Sequence, residues 1–381
     1  MTKTTLSRVL QGGCAAAVIA LSPMASADVT LSGQVNRAIV HADDGVDSGT
    51  HFVDNDVSST RFRIKGEHEL DDTLTFGAQM ETEVRSNSSV NYTVDQEKSA
   101  GYNGLEERKL EIFIKSKNAG TVWLGQGDMA SNSSSEQDLS GTNVVSHAEF
   151  HKLGRALSFR NTLADPATGL HDSVTTVKNV VDDMDGMSRQ DRFRYDTPSF
   201  GGLTLSASVT EGSAWDVGAK YKGKFAGSKI AAALAYASSE DNDSYEGKFD
   251  NQVSGSLSFM HASGFNVTLA GGKRDSNSDD NEGLLGEEGF FGDDEPTFYY
   301  AKLGYKMKSS IGSTAFSVDY GNVQDLDQID DEAEGYGVFL VQKIDKVSTE
   351  LYLGYRQFSL DRPGVDLEDI GIVVGGARVK F

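Results

Sequence analysis

Gly371-Ile372-Val373-Val374-Gly375-Gly376-Ala377-Arg378-Val379-Lys380-Phe381 alternates residues that suit lipid with residues that suit water. Gly371, Val373, Gly375, Ala377, Val379 and Phe381 share one parity, while Val374, Gly376, Arg378 and Lys380 share the other. Side chains alternate across a strand, so this segment as a strand presents one apolar and one mostly basic face. Such an ending predicts the closing strand of a transmembrane β-barrel, because every backbone group in a bilayer needs a partner and the last strand must pair with the first.

The start of the chain predicts the same destination. Lys3 and Arg8 form a basic region, an apolar run extends from Ala15 to Leu21, and Ala25-Ser26-Ala27 supplies a small-residue cleavage pattern. Residues 1–27 therefore read as a cleaved export signal and 28–381 as a single barrel domain. The apolar run falls well short of the roughly 20 residues a helical span requires. Cys14, the only cysteine, lies within the signal, so the mature chain is expected to hold no disulfide and no cysteine-bound metal. No cofactor is expected.

Removing Lys3 and Arg8 takes the formal charge from −22 to −24, and so acidic a chain is a poor partner for nucleic acid. Only five prolines against 41 glycines, with apolar residues at alternate positions, suit a β-barrel. Low mean hydropathy is no objection, since only alternate residues of each strand face lipid.

Periodicity predicts sixteen strands, near 29–41, 57–70, 74–85, 106–117, 120–126, 190–197, 203–210, 215–222, 229–238, 251–262, 265–274, 297–308, 313–323, 335–343, 347–359 and 370–381. The fourteenth is ambiguous, because Val338, Phe339, Leu340 and Val341 satisfy both parities. Connections alternate long and short: His41 to Asp56, then Leu70 to Thr73; Ser86 to Leu105, then Asn118 to Gly120. That asymmetry fits long outer loops and tight periplasmic turns, with Thr210 to Ala214 an unusually short outer connection. A large soluble β-sandwich or propeller is the competing architecture.

Carboxylates crowd into the connections Glu240–Asp250, Asp275–Glu295 and Asp325–Glu334. They read first as a solvated, repulsive rim; the sharper alternative is that they draw cations toward a mouth or bind divalent ions shared with neighbouring lipid head groups. Asp275, Asn277 and Asp279 have calcium-loop spacing, but Asp280 stands where the turn wants glycine.

Inward parity places Arg61, Arg63 and Lys65 in one column of the second strand and Glu81 and Glu83 in the third, with one allowed register pairing Lys65 with Gln79, Arg63 with Glu81 and Arg61 with Glu83. Lys115, Arg192 and Arg194 also project inward, beside Asp196. Arginines inside a closed barrel require water or partners. The connection from Gly127 to Arg189 is far too long for an ordinary loop and is expected to fold into the lumen as a constriction. Its acids Asp128, Glu136, Asp138 and Glu149 would oppose the basic wall. His147-Ala148-Glu149-Phe150-His151 has two histidines at helical spacing but not the order of a zincin motif, and reads as a polar loop.

Four stretches carry a family resemblance: Val29-Thr30-Leu31-Ser32-Gly33-Gln34-Val35-Asn36, Ser59-Thr60-Arg61-Phe62-Arg63-Ile64-Lys65-Gly66, Gly120-Thr121-Val122-Trp123-Leu124-Gly125-Gln126 and Arg194-Tyr195-Asp196-Thr197-Pro198-Ser199-Phe200-Gly201-Gly202. With the terminal Phe381 they resemble the general diffusion porins of Gram-negative outer membranes, from about Asp28 to the end of the chain. The resemblance implies sixteen antiparallel strands, a homotrimer, a third loop folded into the pore, a basic wall containing Arg61 and Lys65, and facing loop acids best matched by Glu136 and Asp138. Gly125-Gln126-Gly127 stands where relatives commonly have glycine-arginine-glutamine, so one expected base is missing.

The expected function is passive passage of small polar solutes and ions, with weak cation preference from the excess of acids. No enzyme is expected, since no serine, histidine and acid have persuasive spacing. Two alternatives stay open: a substrate-specific channel, for which Trp123 and Tyr352 share lumen parity without forming a ladder, and a non-conducting barrel acting as adhesin or anchor.

Overall fold

The computed structural model describes residues 28–96, 101, 103–239, 249–275 and 295–381. The predicted export signal, most of the acidic connections 240–250 and 275–295, and nearly all of the calcium-like spacing lie outside the described residues.

Alternating sequence becomes alternating strand. The first six are β1 (Asp28–Asp43), β2 (Ser48–Asp54), β3 (Arg61–Asp71), β4 (Leu74–Arg85), β5 (Gly104–Ser116) and β6 (Gly120–Asp128). A short hairpin, β7 (Ser158–Arg160) and β8 (Ser173–Thr176), lies within the long connection. Then come β9 (Arg189–Asp196), β10 (Leu203–Thr210), β11 (Trp215–Phe225), β12 (Ser228–Ser238), β13 (Asn251–Met260) and β14 (Phe265–Asp275). The last are β15 (Thr297–Ser309), β16 (Gly312–Gln324), β17 (Glu332–Ile344), β18 (Thr349–Asp361) and β19 (Ile370–Lys380).

Each strand pairs antiparallel with its neighbour around the sheet, and β19 returns to pair with β1 from Gln34 opposite Lys380 to Asp43 opposite Gly371, so the barrel closes. Sixteen wall positions result because β2 and β3 share one of them. The upper part of β1 pairs with β2 and the lower part with β3, and between the two a 3-10 turn, Asp56–Ser58, buries Asp56 and Val57. The second predicted strand is thus longer than 57–70 and broken in the middle. Asn55 supports the break by accepting a 3.1 Å hydrogen bond from the Val57 amide.

Closure is fixed at the bottom by the terminal residue. Gly33 and Phe381 exchange backbone hydrogen bonds of 2.9 and 3.1 Å. A Cβ on Gly33 would meet the Phe381 ring at 2.6 Å, so the glycine is the seat on which that ring rests.

Outward faces carry the lipid-suited parity: Leu31, Leu110, Ile112, Leu124, Leu234, Leu303 and Leu353 are exposed. Outward aromatic pairs stand near opposite rims, Trp215 against Tyr236 at 5.5 Å and Phe265 against Tyr305 at 4.7 Å, the amphipathic girdles of a membrane barrel. In the ambiguous strand, now β17, Val338 and Leu340 face out while Phe339 and Val341, each 1% exposed, face in.

Candidate functional site

Residues 129–188 turn inward and pack within the barrel. The outgoing arm follows an inner wall of small hydroxyl residues. The Ser131 amide donates to Asp216 at 2.8 Å, Ser134 meets the Ser254 hydroxyl at 2.7 Å, the Gln137 and Leu139 amides donate to Ser256 and Ser258 at 3.0 and 2.9 Å, and Thr142 meets Ser317 at 2.9 Å. Backbone that leaves the sheet must find partners elsewhere when buried, and the serines of β13 provide them. One ion pair joins wall to segment, Lys302 to Asp138 at 2.7 Å, and a second lies within the wall beneath it, Arg356 to Asp319 at 2.5 Å, with side chains 0–3% exposed. Ser146 of the inserted segment also donates to Asp319.

Beyond Ser146 the segment becomes apolar and builds a dry core inside the barrel. Phe150 stacks near Phe298, Tyr300 and Phe358 at centroid distances of 6.5, 6.3 and 6.0 Å. Its ring lies over the paired glycines Gly321 and Gly335, where added Cβ atoms would collide with it. Leu153, Leu157, Phe159, Val177 and Val180 bury themselves with Ile370, Ile372 and Val374 of β19. The guanidinium of Arg356 sits 5.0 Å from the Phe339 ring and 5.5 Å from that of Phe150, joining the core to the ion pair within the wall.

The wall formed by β3, β4 and β5 remains wet. Its register sets Lys65 opposite Gln79, Arg63 opposite Glu81 and Arg61 opposite Glu83, as the sequence predicts. The two charge types are not presented equally. Side chains of Arg61, Arg63 and Lys65 are 29%, 41% and 33% exposed, whereas those of Glu81 and Glu83 are 4% and 5%. The carboxylates lie beneath the bases and are held from several sides: Glu81 by Arg63 and Arg108, each with a 2.8 Å contact, and Glu83 by Arg85 at 2.9 Å, Arg108 at 2.5 Å and the Ser59 hydroxyl at 2.8 Å. Glu81 and Glu83, expected as lining acids, therefore serve as a buried counter-layer.

Arg108 escapes the parity reading. A β-bulge where Glu81–Thr82 oppose Glu107–Lys109 leaves Arg108 as the extra residue and turns it toward both glutamates. The run Glu106-Glu107-Arg108-Lys109, four charges with no apolar alternate, is the only sequence sign of it.

Other expected site residues divide. Lys115 is exposed on the inward parity at the base of β5. Arg192 is 4% exposed, pairs with Glu111 and donates to the carbonyls of Gly125 and Asp128 at 2.9 and 3.0 Å. Arg194 pairs with Asp196 at 2.8 Å and donates to the carbonyls of Asp128 and Met129 at 3.0 and 2.8 Å. Both arginines hold the root of the inserted segment rather than standing free in the lumen. Asp138, expected to face the basic wall, is consumed by Lys302 on the other side of the barrel. Trp123 donates to Asp196 at 2.9 Å and Tyr352 to Asn36 at 2.7 Å, so each is tied to another residue of the wall.

Glu136 and Glu149 border a cavity of about 190 Å³ between the two arms of the inserted segment, with Asp182, Asp183, Asp185 and His151. Burial, then the charges of Glu149, Asp185 and Glu136, push the Asp183 carboxyl well above its ordinary range, and burial with Glu136 and Glu149 does the same to Asp185. Burial lowers His147, and takes His151 down to about 4, so both rings are neutral at neutral pH. Lys152 pairs with Glu149, and Asp182 with Arg274 at 2.9 Å.

Below the inserted segment the inner wall changes character. Lys229, Lys306 and Lys343 continue the inward parities of buried Ala231, Lys302 and Val341, and Lys306 lies against Gly141. This lysine belt was not singled out by the sequence reading, although the alternation Lys220, Lys222, Lys224 in β11 and Lys302, Lys306, Lys308 in β15 announces it.

Residues 14–363 match the family model described as Gram-negative porin. Among solved structures, an anion-selective porin from Comamonas acidovorans aligns with TM-score 0.56 and 14% identity, over 93% of this chain and 100% of that one. OmpT of Vibrio cholerae in a trimer form aligns with TM-score 0.54 and 12% identity, over 93% and 100%. Salmonella typhi OmpF in complex with daunomycin aligns with TM-score 0.52 and 13% identity, over 93% and 97%. At these identities the likeness shows the fold alone. A search of curated proteins returned no match.

Proposed function

Because this chain belongs to the Gram-negative porin family, we propose that it forms a passive, water-filled channel across the outer membrane for small hydrophilic solutes and ions. The observation that carries this reading is the division of the lumen: an inserted segment packed dry against β15–β19, opposite a wall whose arginines and lysine stay half-exposed. Charged side chains held open inside a barrel imply water there. The family and fold are those of non-enzymatic channels, and no reaction is assigned.

The basic wall is proposed as Arg61, Arg63, Lys65 and Lys115, and the constriction acids as Glu136 and Glu149. The excess of carboxylates supports weak cation preference, since outer acids raise local cation concentration. A second reading, anion preference, is favoured by the exposed bases over buried Glu81 and Glu83 and by the lysine belt, and fits the anion-selective relative. Charges screened over roughly 8 Å at a rim weigh less than those in the passage. Homotrimeric assembly is proposed from the trimeric relative, and the acidic outer loops are proposed to meet lipopolysaccharide through shared divalent ions.

Single-channel recording across a salt gradient tests this. Large ohmic steps are expected, and the sign of the reversal potential decides between the two preferences. A correctly folded barrel that passes no current would overturn the channel reading and favour the anchor.

A further inference from the structure

We propose that the cavity between the two arms of the inserted segment binds a small zwitterionic solute of amino-acid size, its ammonium held by Glu136, Asp183 and Asp185 and its carboxylate by Arg155. The inference deepens the channel reading by naming a solute class, and rests on it only for the route by which that solute arrives. A volume of about 190 Å³ suits a molecule the size of a small amino acid.

Ion pairing around the cavity leaves a defined remainder. Glu149 pairs with Lys152, Asp182 with Arg274 at 2.9 Å and Arg189 with Asp128 at 3.0 Å. Among the described residues, Asp183 and Asp185 have no lysine or arginine at ion-pair distance, Arg155 has no carboxylate there, and Glu136 meets only the neutral ring of His147. One serine-rich turn holds the three acids instead. The Ser133 hydroxyl donates to Glu136 at 2.8 Å and the Ser133 amide to Asp185 at 2.7 Å, while the Ser135 Oγ lies 3.0 Å from both Asp183 and Asp185. A hydroxyl has one proton to give, so one of those two carboxyl groups must be met by a proton of its own or by a cation. Burial and the neighbouring acids keep protons there. An incoming ammonium supplies three charged donors in their place, and the displaced protons pass to water.

A second observation points to a ligand independently of the acids. His151 is 4% exposed and lines the same cavity, and its Nδ1 has no hydrogen-bond partner; the Nε of Arg155, also in the lining, is buried without one as well. Burying polar atoms unpaired is costly. A carboxylate set on the Arg155 fork satisfies the first kind of atom, a donor, and the neutral imidazole of His151 can accept from the ammonium.

The test titrates the mature barrel in detergent with alanine by calorimetry, with heat-modifiable migration checking that each variant is folded. Saturable binding of one alanine per chain is expected. Lactate, which lacks the ammonium, and alaninamide, which lacks the carboxylate, should each bind about 10-fold more weakly or worse, since each forfeits charge-assisted hydrogen bonds. Asp183→Asn and Arg155→Met should weaken alanine by a similar factor, and Lys117→Gln, in an exposed turn at the far end of β5, should leave it unchanged. Alanine should also interrupt the single-channel current of the wild type but not of Asp183→Asn. Absence of saturable binding, or lactate or alaninamide binding as tightly as alanine, would overturn the site without any variant, as would unchanged affinity in folded Asp183→Asn. The two readings fail separately: binding without any current sinks the channel, and current without binding sinks the zwitterion site.

Discussion

The inner faces of β15–β19 and of β3–β5 obey one parity rule and hold opposite chemistry. On one side Phe298, Phe339, Phe358, Ile370, Ile372 and Val374 point inward and are no more than 1% exposed; on the other, Arg61, Arg63 and Lys65 point inward and meet water. The difference lies in what each face touches. Phe150, Leu153 and Leu157 of the inserted segment give the first face an apolar partner, while the second faces open lumen. Inward positions here are apolar where the apolar part of the segment packs upon them and charged where they face open lumen.

The sharpest way to break this contrast is to release the buried ion pair that supports the dry side. Arg356→Ala leaves Asp319 buried without its cation and is expected to cost about 3–5 kcal/mol, as broken buried pairs do. Thermal unfolding should show the loss, and single-channel records should turn noisy as the segment loosens. Phe150→Ala attacks the dry side alone. Emptying a buried aromatic site is expected to cost about 3–5 kcal/mol at most, less where the arm relaxes, and to admit water where there was none, so conductance should rise.

On the wet side stability should hardly respond and selectivity should. Arg63→Ala removes an exposed base above Glu81 and is expected to move the reversal potential toward cations with little change in unfolding temperature. An unchanged reversal potential would place the selective ring elsewhere, with the lysine belt next in line.

The smallest expected effect is of pH. Asp183 and Asp185 have folded-state values raised by burial and neighbouring acids, so both keep protons past the ordinary carboxylate range. The stability linked to these groups is full below their unfolded values and declines as pH rises through the raised folded values. Their ionisation adds negative charge beside the passage, so cation permeability relative to anion should grow over the same rise. Asp183→Asn with Asp185→Asn should flatten that dependence in a reversal-potential titration.

Alternation made much legible. The closing strand, the sixteen wall positions, the register of Arg61–Lys65 against Gln79–Glu83, and the inward fate of residues 129–188 follow from periodicity, length and charge, because a strand's two faces are set by a local rule. The break of the second wall strand at Asp56–Ser58, the bulge at Arg108 and the hairpin β7–β8 were not legible, since each depends on partners distant in sequence. Asp138 shows why the loop acids resisted placement: inward burial leaves open which of several cations a carboxylate will find, and it found Lys302.

By itself the sequence determined a closed membrane barrel with a long segment available to enter it, because lipid on one face and backbone satisfaction in the bilayer admit little else. Tertiary structure alone decided which wall that segment covers. Serine hydroxyls, two glycines beneath Phe150 and two buried ion pairs come together from strands far apart in the chain, and only their meeting divides the lumen into a dry side and a passage.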